Sequence, residues 1–457
     1  MTRVHRYWCE WALVGPHPAA AAGVLIEVAD GRIRGVRAGE AAPSDAERLQ
    51  GLTVAGFANA HSHAFHRALR GRTGEHGGSF WTWRERMYAV AAALDPDSYH
   101  RLARAVYAEM ALAGVTCVGE FHYLHHGPGG VPYSDPNAMS AALVAAAADA
   151  GIRITLLDAC YLSGGLDADG KHTQLRGTQL RFGDASFDAW AHRVADYRPD
   201  GTHALLGAAV HSVRAVPEPD LRAFVRHYDA LAEPWPAVHI HLSEQPAENA
   251  SCLAAHGRTP TGLLADTGFL DRTAPTLVHA THLTDDDLDL LRAARSRAVV
   301  CLCPTTERDL ADGLARTADF GAEVPVSLGS DGHSTIDMLE EARAVEMHER
   351  LRTGRRGTVD ASRLLESLHT TGHAGSLGWK DAGALGAGNR ADLVTIGLDS
   401  VRLAGFDPDR ASDAVVFAAT AADVRHVMAD GRWIVRDGVH QLIPDAARVL
   451  DQAIKEL

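Results

Sequence analysis

The sequence predicts an α/β fold, a (β/α)₈ TIM-like barrel with a small β-sandwich-like domain formed from both chain ends. The first observation behind this prediction is a series of eight apolar, strand-length segments in the middle of the 457-residue chain, most of them separated by helical stretches. The second is that histidines or acidic residues follow four of these segments. The third is a pair of similar Asp-Gly hairpin patterns, one near each end.

The barrel itself is predicted from the alternation of strands and helices. The strand candidates cover residues 54–60, 115–120, 152–159, 204–210, 237–241, 276–279, 298–301 and 326–329. Helical patterns lie between several of them, at 96–113, 138–150, 285–294 and 336–351. Such alternation is typical of a parallel sheet covered by helices. A doubly wound sheet is the alternative, but it usually carries a glycine-rich turn after its first strand, where this chain has His61-Ser62-His63.

The two chain ends predict the small β domain. Asp30-Gly31 and Asp430-Gly431 each lie between apolar strand patterns, which is the strongest short-range signal for a β-hairpin. A further strand pattern at 391–396 precedes the second hairpin. We therefore expect residues 1–57 and 381–457 to build one β domain around a barrel of residues 58–380. Two unrelated surface hairpins are the alternative.

Composition and charge favour a globular enzyme over a nucleic-acid-binding or membrane protein. The chain is 46% hydrophobic and has a formal net charge of −14, without a long run of like charge. It contains no apolar stretch of the about 18 residues that a membrane helix needs, and its first residues do not resemble a signal peptide. Six scattered cysteines are too few for a disulfide framework. We expect a cytoplasmic protein without nucleic-acid or membrane partners.

Candidate metal-binding and catalytic residues follow the predicted strands. They are His61 and His63 after the first strand, His241 and Glu244 after the fifth, His279 after the sixth, and Asp331 after the last. Two histidines at spacing two on a strand point the same way, so together they can bind one divalent metal. Any one of these residues alone is more often a structural or capping residue. A barrel, however, gathers the carboxyl ends of its strands into one mouth, which favours a shared site.

The order of these motifs resembles the amidohydrolase superfamily. The resemblance covers most of the chain: H-x-H after the first barrel strand, H-x-x-E after the fifth, a histidine after the sixth and an aspartate after the eighth. It implies that the metal is bound by His61, His63, His241 and Asp331, and that the catalytic residues are Glu244, His279 and Asp331. His282 is the alternative to His279. The family position favours His279 and leaves His282 to support the next helix.

The lysines predict the number of metal ions. Many members of this superfamily hold two metals bridged by a carboxylated lysine at a strand end. This chain has three lysines, Lys171, Lys380 and Lys455, and none of them ends a predicted barrel strand. We therefore expect one divalent ion. Three histidines and one aspartate suit zinc, with iron and manganese as alternatives.

Two arginines indicate the kind of substrate. Arg84 follows the first predicted strand, and Arg214 follows the fourth. Guanidinium groups bind carboxylates in a bidentate manner, so two of them at one mouth suit a substrate with two carboxylates. Tyr123, after the second strand, adds a hydroxyl donor. The alternative is that both arginines form surface salt bridges.

Longer segments narrow the resemblance to the formimidoylglutamate deiminases, a histidine-degradation family of this superfamily. The segments are HSHAFHRAL, FWTWRE, EFHY, HSVRAV, HLSEQ, CPTTERDLADG and SDGH. The resemblance implies a homodimer that converts a small acidic substrate, N-formimino-L-glutamate, and water to N-formyl-L-glutamate and ammonia. It also implies that Arg84, Tyr123, His211 and Arg214 bind the substrate carboxylates. His66 stands where glutamine is expected, and we expect its ring to contact the substrate.

Two other functions stay open from the sequence. A deaminase for an aromatic amine such as guanine would use the same metal residues, and Trp81 and Trp83 could stack on its ring. A barrel that survives only as a binding or assembly module is the second alternative. Loss of metal-binding residues would be its signature, and all of the expected ones are present.

Overall fold

The computed structural model describes residues 3–15, 19–73, 80–294 and 298–457. The strands in chain order are β1 His5–Ala12, β2 Ala21–Ala29, β3 Arg32–Arg37, β4 Glu47–Ala55, β5 Phe57–Ser62, β6 Val115–His122, β7 Arg153–Cys160, β8 Gly165–Leu166, β9 His172–Thr173, β10 Ala204–Ser212, β11 Val238–Leu242, β12 Thr276–His279, β13 Val299–Leu302, β14 Val326–Leu328, β15 Leu393–Ile396, β16 Val424–Ala429, β17 Arg432–Arg436 and β18 Val439–His440. The α-helices are α1 Phe80–Ala93, α2 Pro96–Leu112, α3 Ala138–Ala150, α4 Phe187–Ala195, α5 Glu218–Ala230, α6 Pro246–His256, α7 Pro260–Asp266, α8 Phe269–Thr273, α9 Asp285–Ala293, α10 Pro304–Asp309, α11 Met338–Thr353, α12 Ala361–Leu368, α13 Ala411–Phe417 and α14 Ala446–Lys455.

Eight parallel strands form the barrel. Their order is β14-β13-β12-β11-β10-β7-β6-β5, which apart from the β8–β9 pair follows the chain. A parallel bridge between Ser62 and Asp331 brings the first and last strands together, so the sheet is nearly closed. All eight predicted strand segments correspond to barrel strands, and the predicted fold class is confirmed.

The start of the first barrel strand differs from the prediction. The apolar run from Val54 spans two strands, because β4 ends at Ala55 and β5 begins at Phe57. Gly56 separates them, and a Cβ atom on this residue would lie 2.5 Å from the Thr116 hydroxyl oxygen. Residues 51–55 of β4 and all of β5 are buried, so hydrophobicity is continuous across the junction and does not reveal where one sheet ends and the next begins.

Both chain ends contribute to the second sheet, whose order is β18-β17-β16-β15-β4-β1-β2-β3. The two ends join where β15 pairs antiparallel with β4. Both predicted Asp-Gly hairpins are confirmed. Their φ angles are 53° at Asp30 and 72° at Gly31, and 48° at Asp430 and 74° at Gly431. Two consecutive positive φ values are the requirement of a type I′ turn, which aspartate and glycine tolerate best.

This terminal sheet bends back on itself. Tyr7 lies on β1 and Trp433 on β17, four strands apart in the sheet order. In a flat sheet they would be about 19 Å apart, since neighbouring strands are about 4.8 Å apart. Their ring centroids are 5.5 Å apart. The two halves of the sheet therefore face each other, which matches the predicted sandwich-like domain.

A buried ion pair joins the barrel to the C-terminal strands. Arg153 begins β7, and its guanidinium donates hydrogen bonds to both carboxylate oxygens of Asp392 and to Asp430. The side chains of Arg153 and Asp392 are each only 1% exposed. The Trp379 ring lies against the guanidinium, with 5.1 Å between the ring centroid and the Arg153 Cζ atom. Because β7 starts here, this junction lies at the amino ends of the strands, opposite the mouth where the predicted site residues lie.

Two further sequence expectations concern helices and cysteines. Within the described ranges, we find no helix with the combined length and apolar character that crossing a membrane requires. All six cysteines are buried and unpaired. Cys301 and Cys303 pack against Ala60 and Val278 inside the barrel.

We predict that Asp392→Asn destabilises the protein by about 3–5 kcal/mol, because it leaves the Arg153 cation buried without its main counter-charge. The measurement is the free energy of unfolding in urea. Lys455→Ala is the control, because Lys455 pairs with Asp451 at the surface and such pairs contribute at most about 1 kcal/mol. Equal stabilities of the Asp392 variant and the wild type would contradict the structural role of this ion pair.

Candidate active site

Four side chains from three strand ends meet at the mouth of the barrel. They are His61, His63, His241 and Asp331, and one nitrogen or oxygen atom of each lies within 4.8 Å of those of the other three. The Nε2 atoms of His61 and His241 are 3.2 Å apart. The Asp331 Oδ1 atom is 3.4 Å from His61 Nε2 and 3.3 Å from His63 Nε2. The structure thus brings together all four residues that the sequence proposed as metal ligands.

The distances within this group fit a divalent cation. Zinc bound to ligand atoms at about 2.0–2.1 Å in a tetrahedron separates those atoms by about 3.4 Å, close to the spacings observed. The His63 Nδ1–H donates to the Phe121 carbonyl at 2.8 Å. The His241 Nδ1–H donates to the His211 carbonyl at 2.9 Å. These bonds leave the Nε2 lone pairs facing the centre of the group, as metal-binding histidines require.

Burial sets the charge state of these residues. It lowers the pKa of His61 and His241 well below the ordinary value and that of His63 to about 3, so the rings are neutral and able to bind a metal. Burial also raises the pKa of Asp331 to about 7, although the His279 charge opposes the shift. A cation beside the Asp331 carboxylate would stabilise its ionised form.

His279 lies beside this group at the end of β12. Its Nε2 atom is 3.9 Å from Asp331 Oδ2 and 3.9 Å from Glu244 Oε1. Its Nδ1 atom is 3.3 Å from Glu307 Oε1. Burial lowers the pKa of His279, but the Glu307 hydrogen bond and the charges of Glu244 and Asp331 outweigh this effect and raise it to about 10. The ring can therefore donate a hydrogen bond toward the centre of the site.

Glu244 forms an ion pair that the sequence did not predict. Its Oε2 atom accepts a hydrogen bond from Arg214 Nη2 at 2.7 Å. Arg214 also lies 3.5 Å from the buried carboxylate of Glu248, measured from Nε to Oε2. Burial raises the pKa of Glu244, but the Arg214 and His279 charges lower it below the ordinary value overall. Glu244 is thus an ionised carboxylate between Arg214 and His279.

A cavity above the metal group contains the residues proposed to bind substrate. Its wall includes Arg84, Tyr123, His211, Arg214 and His66, together with Glu244, His279 and Asp331. The two arginines therefore share one cavity. The His66 Nε2 atom and the Tyr123 hydroxyl are 2.9 Å apart and hydrogen-bonded. The His211 ring lies against Tyr161, with 4.5 Å between ring centroids. Their roles in substrate binding stay predictions.

Two sequence interpretations concern residues outside this group. His282 does not support α9 through its ring, since its Nε2–H donates to the Asp312 carbonyl after α10 at 2.7 Å. Spacing in the sequence did not reveal this contact because the two residues are 30 apart. Trp83 lines the cavity, whereas the side chain of Trp81 lies outside the described part of the structure.

Sequence reasoning missed three carboxylates that support the site. Glu307 contacts His279, and Glu248 accepts the backbone N–H groups of Ser243 and Glu244 at 3.3 Å each. Glu120 accepts hydrogen bonds at 2.6 Å from the Ser62 hydroxyl and from the backbone N–H of Ala64, on either side of His63. The available signal was the presence of Glu120 and Glu307 inside the conspicuous segments EFHY and CPTTERDLADG.

A second group of possible metal-binding residues shares no member with the first. It consists of His122, His125 and Asp158, all buried. Asp158 already accepts two hydrogen bonds from Arg193, at 2.8 and 2.9 Å, and a third from Trp190 at 3.0 Å. The Arg193 cation neutralises the carboxylate that a metal would need, so this cluster is a structural ion-pair network.

Comparisons with known proteins support a hydrolytic site. The model of the amidohydrolase family matches residues 52–434. The chain is 37% identical to a formimidoylglutamate deiminase of Pseudomonas aeruginosa, over 96% of each chain. It is 31% identical to a 5-methylthioadenosine/S-adenosylhomocysteine deaminase of Halobacterium salinarum, over 88% of this chain and 85% of the relative. The crystal structure of an amidohydrolase from Brucella melitensis matches with a TM-score of 0.86 and 32% identity over 99% of each chain.

We predict that His241→Ala abolishes stoichiometric metal binding. The variant removes one of the converging nitrogen atoms, and the loss of affinity should exceed the about 10–100-fold that removal of a supporting residue costs. The measurement is metal content by mass spectrometry after dialysis against zinc at micromolar concentration. His282→Ala is the matched control, because His282 lies near the same mouth but bonds to a backbone carbonyl. One full equivalent of metal in the His241 variant would contradict the assignment.

Proposed function

The chain belongs to the amidohydrolase family, and from that we propose that it is a deiminase that hydrolyses N-formimino-L-glutamate to N-formyl-L-glutamate and ammonia. Water adds to the formimino carbon, and the terminal C–N bond breaks. The carbon keeps the water oxygen as a formyl group, and the nitrogen leaves as ammonia. The 37% identity to a formimidoylglutamate deiminase over nearly the whole chain supports this reaction.

Each side chain around the proposed metal position has its own role in the reaction. A divalent cation held by the three histidines and the aspartate supplies Lewis acidity, which at zinc centres lowers the pKa of water from about 15.7 to about 7. Asp331 accepts a proton from the attacking water through Oδ2, the oxygen on the His279 side. Glu244 carries a proton to the departing nitrogen. His279 donates a hydrogen bond from Nε2 to the attacked group and steadies its tetrahedral form.

The observation that carries the proposal is that two guanidinium groups, Arg84 and Arg214, line the same cavity as Glu244 and His279. Each can bind one carboxylate of a substrate with two acid groups. Arg214 has five N–H donors, so it can keep its bond to Glu244 while it binds a substrate carboxylate. The Tyr123 hydroxyl and the His66 and His211 rings complete the proposed substrate contacts.

A deaminase of an aromatic amine is the second candidate. Trp83, Tyr88 and Tyr161 line the cavity and offer flat apolar surfaces for a ring. The similarity to a 5-methylthioadenosine/S-adenosylhomocysteine deaminase points in the same direction. Two arginines in one cavity favour the acidic substrate, because guanidinium groups bind carboxylates in a bidentate manner and a neutral heterocycle has no carboxylate to offer them.

The remaining parts of the proposal rest on ligand chemistry and family resemblance. Three nitrogen donors and one oxygen donor suit a single zinc ion. None of the three lysines lies in a barrel strand, which supports the proposal of one metal ion without a bridging carboxylated lysine. We further propose a cytoplasmic homodimer on the family resemblance. A catalytic unit at residues 58–380, flanked by terminal parts at 1–57 and 381–457, stays a prediction.

We predict rapid ammonia release from N-formimino-L-glutamate by the zinc-loaded protein, and release about 10- to 100-fold slower from an analogue without the side-chain carboxylate. Each lost bidentate carboxylate contact should cost about 1.5–3 kcal/mol, which is one to two orders of magnitude in kcat/KM. Guanine and N-formimino-L-aspartate are measured beside them to test ring and chain-length tolerance.

Arg214→Ala and Arg84→Ala separate the two acid contacts. Loss of Arg84 should raise KM, whereas loss of Arg214 should raise KM and lower kcat, because Arg214 also holds Glu244. Ammonia release from guanine but not from formimino acids would overturn the proposed substrate. Equal rates for N-formimino-L-glutamate and the analogue without the side-chain carboxylate would contradict the role of the arginines.

A further inference from the structure

One buried carboxylate beside the site has no part in the reaction proposed above. Glu307 lies in α10, only 2% exposed, and its Oε1 atom is 3.3 Å from the His279 Nδ1 atom. The same Oε1 atom accepts the backbone N–H of Cys303 at 2.8 Å. The carboxylate is thus fixed on one side by the backbone and directed toward the imidazole on the other.

We propose that Glu307 is the positioning residue for His279: its carboxylate holds the Nδ1–H of the ring and so presents Nε2 to the reacting group. This inference rests on the proposed function for the role of His279. It adds Glu307 to that site. Through Glu307, the segment CPTTERDLADG contributes to the reaction.

The geometry of His279 explains why such a partner is needed. Its backbone has a φ angle of 72°, and the next residue, Ala280, has 49°. Both values lie in the left-handed region, which residues other than glycine rarely adopt. This turn directs the side chain away from the strand and into the cavity. The ring then needs a fixed bond at one nitrogen, because an imidazole held only by packing can rotate and exchange the positions of its two nitrogens.

The positions of the two nitrogens decide what the ring can do. Nε2 lies 3.9 Å from Glu244 Oε1 and 3.9 Å from Asp331 Oδ2, the two carboxylates to which the proposed reaction assigns the proton transfers. With Nδ1–H held by Glu307, Nε2 is the atom available to the substrate. Removing Glu307 allows the ring to turn, and productive orientations become a minority.

Glu341 offers a matched comparison within the same region. It is also a fully buried carboxylate, and it accepts hydrogen bonds from the Thr305 hydroxyl and, at 2.9 Å, from the Thr305 backbone N–H in α10. It supports the same helix as Glu307 but bonds to Thr305 rather than to His279. A general effect on α10 would follow from changing either residue, whereas an effect through His279 would follow only from changing Glu307.

The test measures kcat, KM and metal content of Glu307→Gln, Glu307→Ala and Glu341→Gln as zinc-loaded full-length proteins. We expect kcat to fall about 10-fold in Glu307→Gln, which keeps an acceptor oxygen, and about 100-fold in Glu307→Ala, with KM within about threefold of the wild type. Glu341→Gln should keep kcat within about threefold. Partial recovery in the glutamine variant relative to alanine marks a positioning bond.

A double-mutant cycle separates this role from a structural one. In a His279→Gln background, Glu307→Ala should change kcat by less than about threefold, because the group on which Glu307 acts is gone. A second readout does not depend on turnover. The ¹⁵N signals of the His279 ring, assigned by their loss in His279→Gln, should shift and broaden in Glu307→Ala, because a ring released at Nδ1 moves between orientations, and should stay unchanged in Glu341→Gln. These ring signals test the role of Glu307 even if the alanine variant is too inactive for kinetic measurements.

Three results would overturn the inference: unchanged kcat in metal-loaded Glu307→Ala, equal losses in the Glu307 and Glu341 variants, or full additivity in the cycle. If Glu307→Ala does not fold, Glu307→Gln with a wild-type kcat and unchanged ring signals would overturn it as well. Failure of the wild type to release ammonia from N-formimino-L-glutamate would instead contradict the proposed function. The ring signals, and kinetics on whichever amine substrate is turned over, would still decide the role of Glu307.

Discussion

Closure of the barrel between its first and last strands is the constraint on which the site depends. Next to the bridge between Ser62 and Asp331, the backbone N–H of Asp331 donates to the His61 carbonyl at 3.0 Å, and that of His63 donates to the Asp331 carbonyl at 3.2 Å. Residues from opposite ends of the barrel sequence are thus joined by main-chain hydrogen bonds. The hydrogen bonds that close the sheet therefore also set the spacing of the His61, His63 and Asp331 side chains, independently of any loop conformation.

Around that fixed group, carboxylates and cations are arranged in an alternating network. Glu307 faces His279, His279 faces Glu244, and Glu244 faces Arg214. Each buried charge has a partner of opposite sign, which offsets the cost of removing it from water. The network also connects the acid-binding side of the cavity to the proton-transferring side. Arg214 belongs to both, so in this protein the recognition of an acidic substrate and the proton transfer by Glu244 are physically linked.

The sequence was sufficient to predict those parts of the structure that depend on hydrophobic periodicity and on the order of motifs along the chain. Strand–helix alternation predicted the barrel, the Asp-Gly pairs predicted both hairpins, and His61 and His241 were located at strand ends that a barrel must gather. It was not sufficient where a contact joins distant segments without a local pattern. The bond between Arg214 and Glu244 spans 30 residues, and the one between His279 and Glu307 spans 28. Nothing in either segment alone reveals which distant side chain its glutamate will contact.

The pairing of β4 with β15 has a consequence for the order in which the chain folds. Thr53 and Thr395 are partners in this pair and lie 342 positions apart. During synthesis, the edge of β4 that pairs with β15 stays unpaired until the whole barrel and β15 have left the ribosome. An unpaired edge is a template for association with other chains. A barrel that folds before β15 pairs would bring its own two ends together and so shorten the loop that this pairing must close.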